Sequence, residues 1–296
     1  MTAREEGFLL LTSHLGDPER KPLTVSQFRT LAERMRGMEK PSEERDLSIE
    51  DLLQLGYGRE MAEQILVLLS QERLLKHYLK RGQNAGCRPV TRVSEGYPLL
   101  LRQRLGLESP GCLWIRGDDS LLSTPAIALV GSRDLRESNR KFAQTVGTYV
   151  AEHGLTLVSG NARGADKTAQ EACLAAGGKV ISIVADELDK HPLRKKLLYV
   201  SEDGFQEGFS AQRAISRNRC IHALGQMVFV AQSALGKGGT WDGTVKNLRK
   251  GISPVVCFRD GSEASMALEQ MGAYLIDTAE VGEFQLLSEE PNLFNR

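Results

Sequence analysis

Four junctions in this chain gather the residue types that hold phosphate. They are Gly131-Ser132-Arg133, Ser159-Gly160-Asn161-Ala162-Arg163-Gly164-Ala165-Asp166, Ser216-Arg217-Asn218-Arg219 and Gly236-Lys237-Gly238-Gly239-Thr240. Glycine lets a ligand approach the backbone, and amides at a helix N-terminus donate to anions. Arginine adds a planar fork of donors that matches phosphate oxygens. The chemistry these types support is the binding of a nucleotide or of a nucleic-acid backbone. Gly131, Ser132, Arg133, Gly160, Arg163, Gly164, Arg213, Arg217, Asn218, Arg219, Lys237, Gly238, Gly239 and Thr240 are the candidate contacts. Arg213 joins them because it precedes Arg217 by four residues, on one helical face, with Ile215 and Ile221 turned inward. Arg163 reads as buried between its glycines. Asp166 either caps the following helix or orients Arg163. Lys190, Arg194, Lys195 and Lys196 form a basic segment placed near the same edge.

Other chemistries lack their residues. The first junction reads GSRDLR and not GxGxxG, and no acidic residue ends the second strand, which disfavours a nicotinamide dehydrogenase. A GxxxxGK[ST] loop and a GxSxG elbow are both absent from the sequence. The five histidines are isolated, and the five cysteines form no CxxC pair. Asp186, Glu187 and Asp189 read as loop charges or a helix cap ahead of a general acid or base. No catalytic residue, metal or cofactor is expected.

The elements that must position these junctions are legible as a βα alternation. Apolar β-branched runs predict strands at Ile127–Gly131, Leu155–Ser159, Val180–Ala185, Met227–Ala231, Pro254–Phe258 and Tyr274–Ile276. Helices are predicted over Ser138–His153, Ala165–Ala176, Pro192–Val200, Ala211–Ala223, Trp241–Lys250 and Glu263–Met271. This order predicts an α/β fold with a doubly wound parallel, Rossmann-like sheet. Ligands of such sheets bind at the strand C-terminal ends, at the topological switch point. Residues 124–296 carry this domain and 86–123 a connector, with Leu113–Gly117 as a lead-in strand. Residues 1–85 read as a small helical N-terminal module, helix-hairpin-helix or sterile-alpha-motif-like. Its helices are Thr24–Met38, Asp46–Leu55 and Arg59–Lys80, with a turn at Leu55-Gly56-Tyr57-Gly58.

Formal net charge is zero, so polyanion binding must come from a local patch. No apolar stretch approaches the roughly 20 residues that cross a bilayer. Phe8–Leu11 is too short for a signal core and follows Glu5 and Glu6. Cys173, Cys220 and Cys257 lie in apolar runs as core thiols, which fits a reducing cytoplasm. A cytoplasmic protein without a membrane partner is the expectation.

Taken in order, ALVGSR (128–133), SGNARGAD (159–166), AAGGKVISIVADELDKHP (175–192), VSEDGFQEG (200–208), SRNRCIHALG (216–225) and GKGGTW (236–241) resemble the DNA-processing protein A (Smf) family. The resemblance covers about residues 88–277. It implies sequence-independent binding of single-stranded DNA through an arginine-containing basic pocket and dimerisation through the Rossmann-like domain. It further implies loading of a RecA-type recombinase during natural transformation. The chain departs from the family at Asn161 and Ala165, at Gln212-Arg213-Ala214-Ile215 and in the GGTWDGT loop. No C-terminal winged helix follows the last strand, and aromatics make up only 6%, so no stacking platform is evident. On this reading Arg219→Glu abolishes DNA binding.

A nucleotide sensor or an N-glycosidic-bond hydrolase on the same fold is the second reading. The related phosphoribohydrolases carry PGGxGTxxE. Here Gly238-Gly239-Thr240 supplies part of that loop, while Val245 and Asn247 stand where its glutamate would be. A scaffold that meets its partner through the N-terminal helices is the third.

Overall fold

A computed structural model describes residues 1–36 and 47–287. The chain divides into two units, residues 1–97 with 110–112, and residues 98–109 with 113–296.

The first unit is helical, with α1 Ala3–Thr12, α2 Val25–Met35, α3 Ile49–Gln54, α4 Arg59–Leu69 and α5 Glu72–Asn84, followed by the strand β1 Arg88–Thr91. Thr2, Thr24 and Ser48 each build a capping box, which fixes where α1, α2 and α3 begin. Leu11, Leu23, Leu31, Leu52, Ala62, Ile65 and Leu68 form its core. The predicted Arg59–Lys80 helix is two helices, because Gln71 leaves the helical region at ψ 35°. That break has a use: Gln71 Oε1 accepts from the buried Arg20 Nε at 2.6 Å, and Arg20 also donates to the carbonyls of Leu10 and Ser13. Met38 and Asp46, predicted helix ends, lie outside the described residues.

The second unit contains α6 Leu99–Leu105, β2 Cys112–Gly117, β3 Ala126–Val130, α7 Glu137–Glu152, β4 Thr156–Ser159, α8 Ala165–Ala175, β5 Lys179–Ile183 and β6 Leu197–Ser201. It continues through α9 Ala211–Ser216, α10 Asn218–Leu224, β7 Val228–Val230, α11 Gly238–Lys250, β8 Val255–Phe258, α12 Glu263–Gln270 and β9 Tyr274–Ile276. The sheet order β2-β6-β5-β4-β3-β7-β8-β9 is parallel from β6 to β9, and β2 alone runs antiparallel to its neighbour β6. It is the doubly wound, Rossmann-like α/β fold. Strands β3, β4 and β7 are buried along their whole length, which is why they read as unbroken apolar runs. The order reverses at β3, with β4 on one side and β7 on the other, so the switch point lies between β3 and β7.

The structure corrects two predicted elements of the second unit. Pro192–Val200 is not a helix: Leu197–Ser201 is the buried strand β6, paired parallel to β5 and antiparallel to β2. A short apolar run has no period that separates strand from helix, and burial on both flanks decides it here. Ala211–Ala223 is two helices that meet at Arg217. Cys173, Cys220 and Cys257 are core thiols, at most 1% exposed.

Candidate nucleic-acid interface

The loops that leave β3, β4 and β7 close on each other at the switch point. Gly131 directly follows β3, and a Cβ there would stand 2.5 Å from Ala165 Cβ at the start of α8. Gly164 has φ +87° and would meet the carbonyl oxygens of Ser132 and Arg133 at 2.4 Å, so only glycine fits. Ala165 N donates to Ser132 O at 3.1 Å and joins the two loops. The helix α11 begins at Gly238, three residues earlier than predicted, with Lys237 as its N-cap. Gly238, Gly239 and Thr240 therefore occupy its first turn, where the amides have no intrahelical acceptor.

A crevice of about 480 Å³ lies between these loops, bordered by Gly131, Ser132, Arg133, Asp166, Arg217, Asn218, Lys237, Gly238, Gly239 and Thr240. A second depression of about 400 Å³ shares Arg133, Ala162 and Arg217 with it and continues to Gly160, Arg163, Asp186 and Phe209. Of the predicted contacts, all but Gly164, Arg213 and Arg219 border one or both depressions. Gly164 serves the loop–loop closure described above.

The arginines divide by partner. Arg133 and Lys237 are exposed, and neither has a carboxylate partner among the described residues. Arg163 is not buried: its side chain is 74% exposed and pairs with Asp134 at 2.6 Å. Asp166 lies near a different arginine, Arg217, whose charge acts on it, and it does not cap α8, whose N-cap is Gly164. Asp166 is buried and accepts from Ala162 N at 3.1 Å. Burial pushes its carboxyl up, and the Arg217 charge and the amides of Ala162 and Gly160 pull it back. Arg217 is 6% exposed and donates to Ile183 O, while its Nε has no partner among the described residues. Arg217 borders both depressions and lends them its charge. A Cβ at residue 160 would collide with both Asp166 Oδ2 and Arg217 Cζ, which explains Gly160.

Arg213 and Arg219 are braces. Arg213 donates to Asp203 at 2.8 Å and to the carbonyls of Ala185, Glu207 and Gly208. Arg219 pairs with Glu202 at 2.5 Å and also donates to Glu108 O and Ser216 O. Glu202 is 6% exposed, and burial raises its carboxyl while Arg219 opposes the rise. Asn218 Nδ2 donates to Gly239 O at 2.9 Å and ties α10 to the first turn of α11.

Two further placements differ from the sequence reading, and the acidic loop after β5 agrees with it. Ile215 is 46% exposed and borders the crevice, while Ile221 is buried as predicted. Arg194, Lys195 and Lys196 lead into β6, which runs parallel to β5, so Lys196 sits at the opposite strand edge and donates to Gly177 O at 2.7 Å. Asp186 pairs with His191 Nε2 at 2.9 Å, and Glu187 with Lys190 at 2.7 Å, as loop charges do. The sequence reading missed Phe209, an aromatic side chain 59% exposed at the second depression. Its signal is the second phenylalanine of the loop 202–210, after Phe205 and just ahead of the arginine-rich helices.

Among the described residues no helix is long and apolar enough to cross a membrane. Comparison with known proteins agrees with the geometry. The chain is 32% identical over 141 residues to the DNA processing protein DprA of Streptococcus pneumoniae, covering 44% of this chain and 50% of that protein. It is 31% identical over 156 residues to protein Smf of Escherichia coli, covering 49% and 41%. These matches span half or less of each relative's length. The fold matches DNA processing protein A from S. pneumoniae with a TM-score of 0.73 at 24% identity, over 98% of this chain and 99% of that one. It also matches DNA processing protein A from Helicobacter pylori, whose structure addresses a single-stranded DNA binding mode, with a TM-score of 0.57 at 22% identity over 68% and 96%. The model of the DNA recombination-mediator protein A family matches residues 88–281, and the chain belongs to that family.

Proposed function

We propose that this chain binds single-stranded DNA across the crevice at the switch point, without reading its sequence. The observation that carries the proposal is the pairing of free cations with an aromatic surface. Arg133 and Lys237 face the crevice without carboxylate partners among the described residues, Arg217 borders it, and Phe209 stands exposed beside it. Phosphate contacts plus a stacking surface are what single-strand binding needs. The local cluster also meets the demand that a chain of zero net charge imposes. Crevice backbone amides and Asn218 add donors without base-specific geometry.

The biological role that follows from family membership is DNA processing in recombination. The chain would act as a homodimer that holds the strand for a RecA-type recombinase, with natural transformation as the setting. The hydrolase reading gains little. Asp166 brings a carboxylate to the crevice, but the Ala162 amide and Arg217 already engage it.

The test is fluorescence anisotropy of a labelled thymidine oligonucleotide against the protein over a salt series, with a mononucleotide as competitor. Binding that weakens steeply with salt and resists the mononucleotide supports the proposal. Displacement by stoichiometric mononucleotide would move the assignment to a nucleotide site.

A further inference from the structure

One charged group at the crevice rim has no role in the account so far. Asp134 follows Arg133 in the loop after β3, and its Oδ1 lies 2.6 Å from Arg163 Nη2 in the loop after β4. Both side chains are largely exposed. Their backbones are nevertheless pinned. Gln232 O accepts from Ser132 N at 2.9 Å, Gln232 Nε2 donates to Asp134 O at 3.0 Å, and Gln232 Oε1 accepts from Arg136 N at 3.0 Å. Arg136 pairs in turn with Asp260 at 3.0 Å, and the Ala165–Ser132 hydrogen bond holds the Arg163 loop against this one. The carboxylate is thus a preplaced counter-ion for one crevice arginine, while Arg133 and Lys237 have none among the described residues.

We propose that Asp134 is an internal phosphate mimic, which occupies Arg163 in the free protein and sets how tightly the crevice holds a nucleic-acid backbone. This rests on the single-strand reading above. A phosphate neutralised by an arginine releases its condensed cation, and each such release steepens the salt dependence. A phosphate that reaches Arg163 does the same but must first displace Asp134. Asp134 therefore lowers affinity and leaves the number of phosphates engaged, and with it the salt slope, unchanged. Exposed ion pairs are weak, so the carboxylate tunes binding and does not block it. A ligand that meets only the rim gains little from the exchange. A strand that also fills the crevice gains the contacts of Arg133, Arg217 and Lys237, so Asp134 favours the latter.

The experiment is a double-mutant cycle on the full chain. Binding of a labelled thymidine oligonucleotide is measured over a salt series for the unaltered protein, Asp134→Asn, Arg163→Ala and the double variant. Asp134→Asn is expected to bind about threefold tighter at low salt, the size of one exposed ion pair. Its log–log salt slope is expected to stay the same, because Arg163 meets one phosphate with or without Asp134. In the Arg163→Ala background the same substitution should gain clearly less, because the pair it releases is already gone. Equal gains in both backgrounds would show a general charge effect and overturn the role of the pair. Unchanged affinity in Asp134→Asn would overturn it as well, with the single-strand reading intact. Absence of binding by the unaltered protein at the lowest salt would instead remove the single-strand reading itself, and this inference with it.

Discussion

The loops after β3, β4 and β7 and the helix pair α9–α10 carry the same residue type for opposite ends. In the loops, Arg133 and Lys237 are exposed without carboxylate partners among the described residues, and Arg163 has only a surface partner. In the helices, Arg213 and Arg219 are spent on Asp203, Glu202 and a series of carbonyls. Arg217, at the helix junction, is intermediate: it donates to Ile183 O and feels the Asp166 charge, yet its buried Nε has no partner among the described residues. An arginine near a ligand site is a contact or a brace according to what else it has to neutralise. Glu202, once buried, needs a cation, and Arg219 supplies it.

The largest effect that separates the two regions is on stability. Arg219→Glu places a second carboxylate against Glu202 and should cost about 3–5 kcal/mol in a denaturant melt, the range for breaking a buried ion pair. Unaltered stability with lost DNA binding would make the helix pair a contact surface after all. Next is a pH effect on α10. His222 is fully buried, its Nδ1 accepts from Asn247 Nδ2 at 2.9 Å, and burial lowers its pKa from 6.5 to about 4. Unfolding lets it take up a proton between those values. Its contribution is therefore complete above pH 6.5 and is lost as pH falls to about 4, roughly 3 kcal/mol in all. Thermal melts of His222→Gln across this range should show a flatter pH dependence than the unaltered protein.

Phe209→Ala sharpens the comparison on the crevice side. Loss of one base-stacking surface should weaken single-strand binding by about 1–3 kcal/mol with little change in salt slope. The melting temperature should hold, since Phe209 is 59% exposed. A variant that binds as tightly as the unaltered protein would leave the crevice purely electrostatic. The smallest effect, the threefold gain of Asp134→Asn, reports Arg163, the arginine that borders the second depression and pairs with a surface carboxylate.

Much of this architecture was legible in the sequence. Ala126–Val130 and Val255–Phe258 are strands because unbroken β-branched runs fit a sheet buried on both faces. The glycine junctions sit where such strands must end, so the crevice was legible too. Partners were not. Asp134 is 29 residues from Arg163, and Glu202 is 17 from Arg219, separations set by the crossovers and not by local pattern. For the same reason local pattern ties Asp166 to the helix cap or to its neighbour Arg163, whereas the charge that acts on it is that of Arg217. The β6 strand was missed because its basic lead-in, Arg194 to Lys196, resembles an exposed helical turn more than the start of a buried strand.

On this proposal the loop cations, and not the bracing arginines Arg213 and Arg219, hold the DNA backbone. The most direct test is the salt dependence of single-strand binding by a variant carrying both Arg133→Ala and Lys237→Ala, with its melting curve as control. The account predicts an unaltered melt, weaker binding, and a log–log slope shallower by about 1.4, two single-strand phosphates. A variant that folds normally and keeps the original affinity and slope would contradict it.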